Sequence, residues 1–220
     1  MPEWWTYRLS DLLLFSPRTY YRMFELYHQQ IWPIQVVAIG SVVAILVSLR
    51  REAEWAARTI AVLLAAWWLW VGIAFHLSRY STINWAARYF AALFVVQAVL
   101  LVWQGIVRGR LRMVISRARR DWMAVGLFAV AVILEPVMSR LAGRTWAQAE
   151  LVGITPDPTA IATLALLALV TPRSPRLLLI IPVLWCVIGA ATLWALGSAE
   201  AWMVIVAGIS GLMLATRQRA

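Results

Sequence analysis

Residues 59–78 read TIAVLLAAWWLWVGIAFHLS, twenty positions without a charged side chain, and runs of this kind recur along the chain. A helix needs about 20 apolar residues to cross the hydrocarbon of a bilayer, with a range of about 17–25. Walking the chain between its charged residues, and passing over Glu135, gives six runs that fit well or tolerably: Ile31 to Leu49, Thr59 to Ser78, Tyr89 to Val107, Trp122 to Ser139, Leu177 to Ala199 and Ala201 to Thr216. A seventh, Pro158 to Pro172, is short, and it reaches full length only through LVGIT at 151–155 with Asp157 at the interface. Seven spans are therefore expected. The last two are joined by GSAE at 197–200, a connection so short that the helices must be antiparallel neighbours. With 63% apolar and 14% charged residues and a mean hydropathy of +0.76, the chain cannot be wrapped into a soluble domain. The fold expected is an all-α membrane protein: residues 1–30 form an amphipathic interfacial segment, and residues 31–220 form one seven-helix transmembrane bundle.

All twenty basic residues are arginine, and their placement sets the orientation. Short loops rich in Arg stay cytoplasmic. Alternate connections carry Arg50, Arg51 and Arg58, then six arginines in RGRLRMVISRARR at 108–120, then Arg173 and Arg176, and finally Arg217 and Arg219. The opposite side holds Arg79, Arg88, Arg140 and Arg144, with Arg8, Arg18 and Arg22 balanced by Glu3, Asp11 and Glu25. The amino terminus is thus expected outside and the carboxyl terminus inside, in a bacterial inner membrane. The 108–120 loop should favour anionic lipid, each Arg near the surface contributing about 1 kcal/mol before screening. No nucleic-acid partner is expected; a membrane-protein partner or a homo-oligomer is open.

The first thirty residues lack the basic start, continuous apolar core and small-residue cleavage site of a signal peptide. In SPRTYYRMFELYHQQIWP, Ser16 is placed to cap a helix starting at Pro17. Tyr20, Phe24, Tyr27 and Ile31 then make one aromatic stripe, expected to lie in the headgroup region. Asp157-Pro158 and Ser174-Pro175 repeat the cap-and-proline pattern and are read as helix starts.

The stretch SPRTYYRMFELYHQQIWP and the later GITPDPTAIATLALLAL resemble an uncharacterised family of small bacterial multi-pass membrane proteins, some of them loosely labelled permeases. The resemblance covers nearly the whole chain and implies a location but no activity. Tyr27-His28 departs from the Tyr-Asn that the family pattern leads one to expect ahead of Trp-Pro, so no family-wide role is carried over to His28.

Groups able to carry chemistry are few. The absence of lysine excludes a retinal Schiff base. The single Cys186 sits in an apolar run and can form no intrachain disulfide. No nucleophile stands at motif spacing from a base, and no Gly-rich phosphate loop is present, so catalytic residues and enzyme activity are not expected. His28 and His76 lie toward the outer face without further soft ligands, so neither a metal nor another cofactor is expected, and interfacial hydrogen bonding is the simpler role.

Glu135 stands inside an apolar run beside Pro136, which should kink the helix. Two roles are open for it: a structural ion pair with Arg88, Arg140 or Arg144, or an ionisable group lining a polar cavity. Phe90, Gln97 and Gln104 share a helix face, with Gln97 near mid-membrane, suited to interhelical bonding or to a solute path. Gly40, Ala44 and Ser48 form one small-residue stripe, and Ala207, Gly211 and Ala215 another. Two function classes follow: a small solute, ion or proton transporter with an outer polar pocket built from Glu135, His76, Gln97, Arg88 and Asp157, or a non-catalytic accessory or assembly subunit of a larger membrane complex.

Overall fold

The computed structural model describes residue 13 and residues 15–51, 53–172 and 174–216. Arg8, Arg173, Arg217, Arg219, Glu3 and Asp11, part of the charge pattern above, lie outside the described residues. The described chain is all-helical apart from one isolated bridge between Met113 and Val170. Its main helices are α1 (Pro17–Gln30), α2 (Ile34–Ser48), α3 (Glu54–Trp70), α4 (Ala87–Val102), α5 (Arg119–Ala129), α6 (Glu135–Leu141), α7 (Pro156–Ala168), α8 (Leu177–Ala195) and α9 (Glu200–Thr216). Four helical stretches are long and apolar enough to cross a membrane: Glu54–Thr82, Ala87–Val107, Arg119–Leu141 and Leu177–Ala195. The α1–α2 pair, bent by 86°, makes a fifth if it counts as one span.

Ser16 caps α1 as expected, its Oγ accepting the Thr19 N–H at 3.2 Å. The aromatic stripe points elsewhere than expected, because Tyr20, Phe24 and Tyr27 are buried in the bundle instead of lying among headgroups. Phe24 and Tyr27 pack on Phe75, with ring centroids at 5.2 and 5.5 Å. The Tyr27 hydroxyl donates to the Ile154 carbonyl at 3.0 Å and accepts the Trp70 indole N–H at 2.9 Å. Aromatic area and a satisfied hydroxyl together favour a protein neighbour over a lipid one.

The seventh run behaves differently from the other six. α7 has 13 residues and all are buried. At 1.5 Å per residue it is about 20 Å long, too short for about 30 Å of hydrocarbon. It stands at the centre, packed against α3, α5, α8 and α9. Its start is made by the preceding loop. Gly153 takes a φ of +81° and lies against the Trp67 indole, where an added Cβ would come within 2.7 Å. The Gly153 N–H is satisfied by Thr159 Oγ1 at 2.8 Å, and the Leu151 N–H by Thr155 Oγ1 at 2.9 Å. Non-helical backbone is tolerated at membrane depth when protein buries and satisfies it in this way. Thr159 and Thr163 bond the carbonyls one turn back, at 2.6 and 2.7 Å, so their hydroxyls cost little in the interior.

Neither of the other cap-and-proline pairs caps with its side chain. α7 begins at Pro156, which places Asp157 in the first turn, and α8 begins at Leu177, past Ser174, whose hydroxyl is buried without a partner. A proline suits the first helical position because its missing N–H would be unpaired there anyway, and Pro156 takes that place ahead of Asp157. The small-residue stripes also divide. Gly211 meets α7 so closely that an added Cβ would lie 2.7 Å from Leu164 Cβ, whereas Gly40 has nothing within 4 Å. α2 turns Ala38, Val42 and Ile45 inward, and of the expected stripe Ser48 is buried with them.

Pro182 lies inside α8 and removes the N–H that would bond the Leu178 carbonyl. The Gln97 side chain of α4 replaces it, its Nε2 donating to Leu178 O at 3.0 Å. Gln97→Leu should therefore cost about 1–3 kcal/mol, the usual result of orphaning a buried polar group. Pro182→Ala in the same chain should recover part of that loss. Thermal unfolding of the two variants and the double variant in mild detergent checks this; equal losses with and without Pro182 would refute it.

Large apolar side chains such as Val37, Val99, Ile133, Ile180 and Val206 cover the outside of the bundle. Exposed tryptophans gather at its two ends: Trp55, Trp103 and Trp122 at one, Trp32, Trp85, Trp146, Trp194 and Trp202 at the other. Trp85 and Trp103 bracket α4 and stand about 27 Å apart at 1.5 Å per residue.

Candidate functional site

Buried polar groups collect where the bundle meets the amino end of α7. Three carboxyl groups converge there. Asp157 comes from the first turn of α7, Glu150 from the loop ahead of it, and Glu135 from the first residue of α6. Each has an oxygen that is buried and without a hydrogen-bond partner among the described residues: Asp157 Oδ2, Glu150 Oε2 and Glu135 Oε1. The other Asp157 oxygen accepts the Trp185 indole N–H at 2.7 Å. Gly189 makes room for this carboxyl, since an added Cβ would lie 2.5 Å from Asp157 Oδ1.

Glu150 lies in the fields of Asp157, Glu135 and Arg144, and its carboxyl faces the Asp157 backbone amide. The positive end of the α7 dipole favours an acidic group at that place. The Tyr20 phenol shares the site and is pushed up by burial and then by Glu150.

His76 approaches from the other side of Trp185. It is fully buried, and neither ring nitrogen has a hydrogen-bond partner among the described residues. Aromatic rings enclose it, with Phe94 at 4.5 Å, Trp185 at 4.7 Å and Phe75 at 5.2 Å between centroids. The expectation of an interfacial, hydrogen-bonded His76 is thus corrected. His28 is also buried, its Nε2 unpaired, and burial lowers it to about 4.

Both helices that deliver these groups widen locally. His76 belongs to a π-helical turn at Val71–Leu77, and Glu135 follows another at Val130–Leu134. The second turn leads directly into Pro136, and Arg119–Leu141 forms one continuous helical stretch through it. π-helical turns are rare and concentrate at functional sites.

None of the three arginines open as partners of Glu135 forms an ion pair with it among the described residues. Arg144 forms its ion pair with Glu200, donates to Ser139 Oγ at 3.1 Å and stacks over the Tyr21 ring at 4.3 Å. Ser139 also donates to Glu200 at 3.2 Å. Arg140 donates to the Arg144 carbonyl at 3.1 Å, and Arg88 is exposed with no ion pair among the described residues. Of the five residues singled out from sequence, Glu135, Asp157 and His76 come together around Trp185. Gln97 is engaged with α8, and Arg88 stands apart. Glu150, Trp185 and Tyr20 join the site without having been singled out; the spacing of Glu150 seven residues ahead of Asp157 was the available signal.

A chemical reading follows from this inventory. Three buried carboxyls whose nearby cation, Arg144, is ion-paired with Glu200, and an imidazole without hydrogen-bond partners among the described residues, can take up and pass on protons. The arrangement holds no nucleophile poised against a base.

Among known proteins, the family model described as "Family of unknown function (DUF6064)" matches residues 18–220. No curated protein and no solved structure matches the chain.

Proposed function

The chain belongs to the DUF6064 family of unknown function, and on that premise we propose that it is a multi-pass protein of the bacterial inner membrane that moves protons, alone or with a small solute, through the acidic group at the amino end of α7. One observation carries this reading: three buried carboxyls, Glu135, Glu150 and Asp157, each keep an oxygen free of hydrogen bonds among the described residues. Ionisable groups inside membrane bundles are costly and mark ion and proton paths. The apolar outer surface and the two tryptophan girdles support a bilayer environment, because tryptophan is enriched at both membrane interfaces. The proposed topology has seven crossings, with α7 and the loop ahead of it making the fifth. The amino terminus is outside and the carboxyl terminus inside, on the side of the 108–120 loop. Arg108, Arg110, Arg112, Arg117 and Arg119 are exposed there and available to anionic lipid. Arg120 is partly engaged, its guanidinium donating twice to the Leu214 carbonyl at 3.0 and 2.8 Å.

Purified protein in liposomes loaded with a pH-sensitive dye and driven by a potassium diffusion potential tests the activity. The parent should acidify or alkalinise the lumen faster than empty liposomes, and Glu150→Gln and Asp157→Asn should abolish the difference while remaining folded. Flux no faster than in empty liposomes, together with a partner that copurifies in fixed ratio, would replace this reading with that of an accessory subunit. For the orientation, a fluorescent reporter that matures only in the cytoplasm should glow when fused after Ala220; a periplasm-dependent phosphatase active at that position would reverse the topology.

A further inference from the structure

A cleft of about 850 Å³ opens at the α1 end of the bundle, between α1 and the turn that follows α3. Arg18, Arg22 and Arg79 line it, against the single carboxyl of Glu25, with Gln148 and Leu26 completing the wall. Arg22 is already occupied, its Nη1 lying 2.6 Å from Glu25 Oε1. Gln148 holds the other Glu25 oxygen at 3.5 Å. Arg18 and Arg79 are left without an ion pair among the described residues. Among the described residues, the cleft therefore presents two uncompensated guanidinium groups on a braced frame. On the Arg79 side, the Arg79 carbonyl is fixed by the Thr82 hydroxyl at 2.7 Å. On the α1 side, Tyr21 lines the cleft and carries Arg144 stacked on its ring at 4.3 Å.

We propose that this cleft binds a phosphate ester, with Arg18 and Arg79 as its anion-holding residues. Guanidinium groups bind phosphate through paired, charge-assisted hydrogen bonds, and two of them match the charge of a phosphate group. The volume exceeds what an inorganic ion fills and leaves room for the organic part of the ester. Leu26, exposed on the same wall, gives that part an apolar contact. A phospholipid headgroup and a soluble phosphate ester share this chemistry. The site is separate from the acidic group around Trp185, so it stands or falls independently of proton flux.

The test measures binding to the purified full chain in neutral detergent, using dihexanoyl phosphatidylglycerol, glycerol 3-phosphate and, as a zwitterionic control, dihexanoyl phosphatidylcholine. The anionic probes should bind saturably and more weakly as salt rises. Arg18→Gln with Arg79→Gln should weaken binding at least about tenfold. The pair Arg50→Gln and Arg51→Gln, at the opposite end of the bundle, should leave it unchanged. Binding of the lipid alone would identify a headgroup site, and equal binding of glycerol 3-phosphate would identify a soluble ester; either supports the proposal. It is overturned if neither anion binds better than the choline lipid. It is equally overturned if the Arg18 and Arg79 pair binds like the parent, or if the Arg50 and Arg51 pair loses as much.

Discussion

Arg144→Ala should destabilise the protein by about 3–5 kcal/mol, the usual cost of leaving one half of a buried ion pair behind. The Arg144 and Glu200 side chains are only 10% and 7% exposed, so water cannot take over the role of the lost partner. The substitution also removes the donor to Ser139 and the cation stacked on Tyr21, which ties α1 to the connection after α6. Glu200→Ala should do comparable damage, because it strands the guanidinium. Replacing both, as Arg144→Met with Glu200→Leu, should recover most of the stability, since two apolar side chains remove the desolvation cost of both charges. Thermal unfolding in mild detergent reads all three. Single variants that lose less than about 1 kcal/mol, the range of a surface pair, would show that the pair is solvated.

Gly189→Ala adds one methyl group and should both destabilise the bundle and stop proton flux. The new Cβ would lie 2.5 Å from Asp157 Oδ1 and 3.0 Å from Oδ2 and Cγ. Asp157 cannot retreat, because every residue of α7 is enclosed. Its carboxyl must then surrender the Trp185 indole, leaving that N–H unpaired as well. Overpacking of this kind costs about 1–3 kcal/mol. Gly126→Ala in α5 is the matched control. Nothing lies within 4 Å of its added Cβ, and replacing an exposed mid-helix glycine should stabilise the chain by about 0.5–1 kcal/mol. Liposome flux and unfolding temperature, measured on both variants, separate the two effects. A Gly189→Ala protein with parental flux would remove the Trp185-bound Asp157 from the proposed path.

The helical pattern was legible because hydrocarbon thickness sets a length that run counting detects. The run 201–216 matches α9, and the run 177–199 overshoots α8 by four residues of its closing turn. The place of α7 was not legible. A helix that is apolar on all sides suits lipid and a protein centre equally, and hydropathy does not separate the two. Side-chain size was the usable signal, since Ala160, Ala162, Ala165 and Ala168 alternate with short Thr159 and Thr163, a composition that permits close approach on every side. The candidate site was half legible for a related reason. Glu135 and Asp157 stand out as acids in or beside apolar runs, but Glu150 sits just ahead of LVGIT at 151–155 and nothing in the local pattern marks it. Only the descent of residues 149–155 into the interior brings it to Asp157. The pairing of Arg144 with Glu200 spans 56 positions, beyond the reach of any local spacing rule.

The enclosure of α7 also bears on how the bundle can be assembled as the chain is synthesised, if it enters a bilayer as proposed above. When α7 emerges, α8 and α9, which form two of its walls, have not yet been synthesised. A 13-residue segment with an acid in its first turn is a poor substrate for release into lipid on its own. It must wait beside α3 and α5 until the closing hairpin arrives. Maturation is then a late, concerted step, and nascent chains that stop short of α9 leave one side of α7 uncovered.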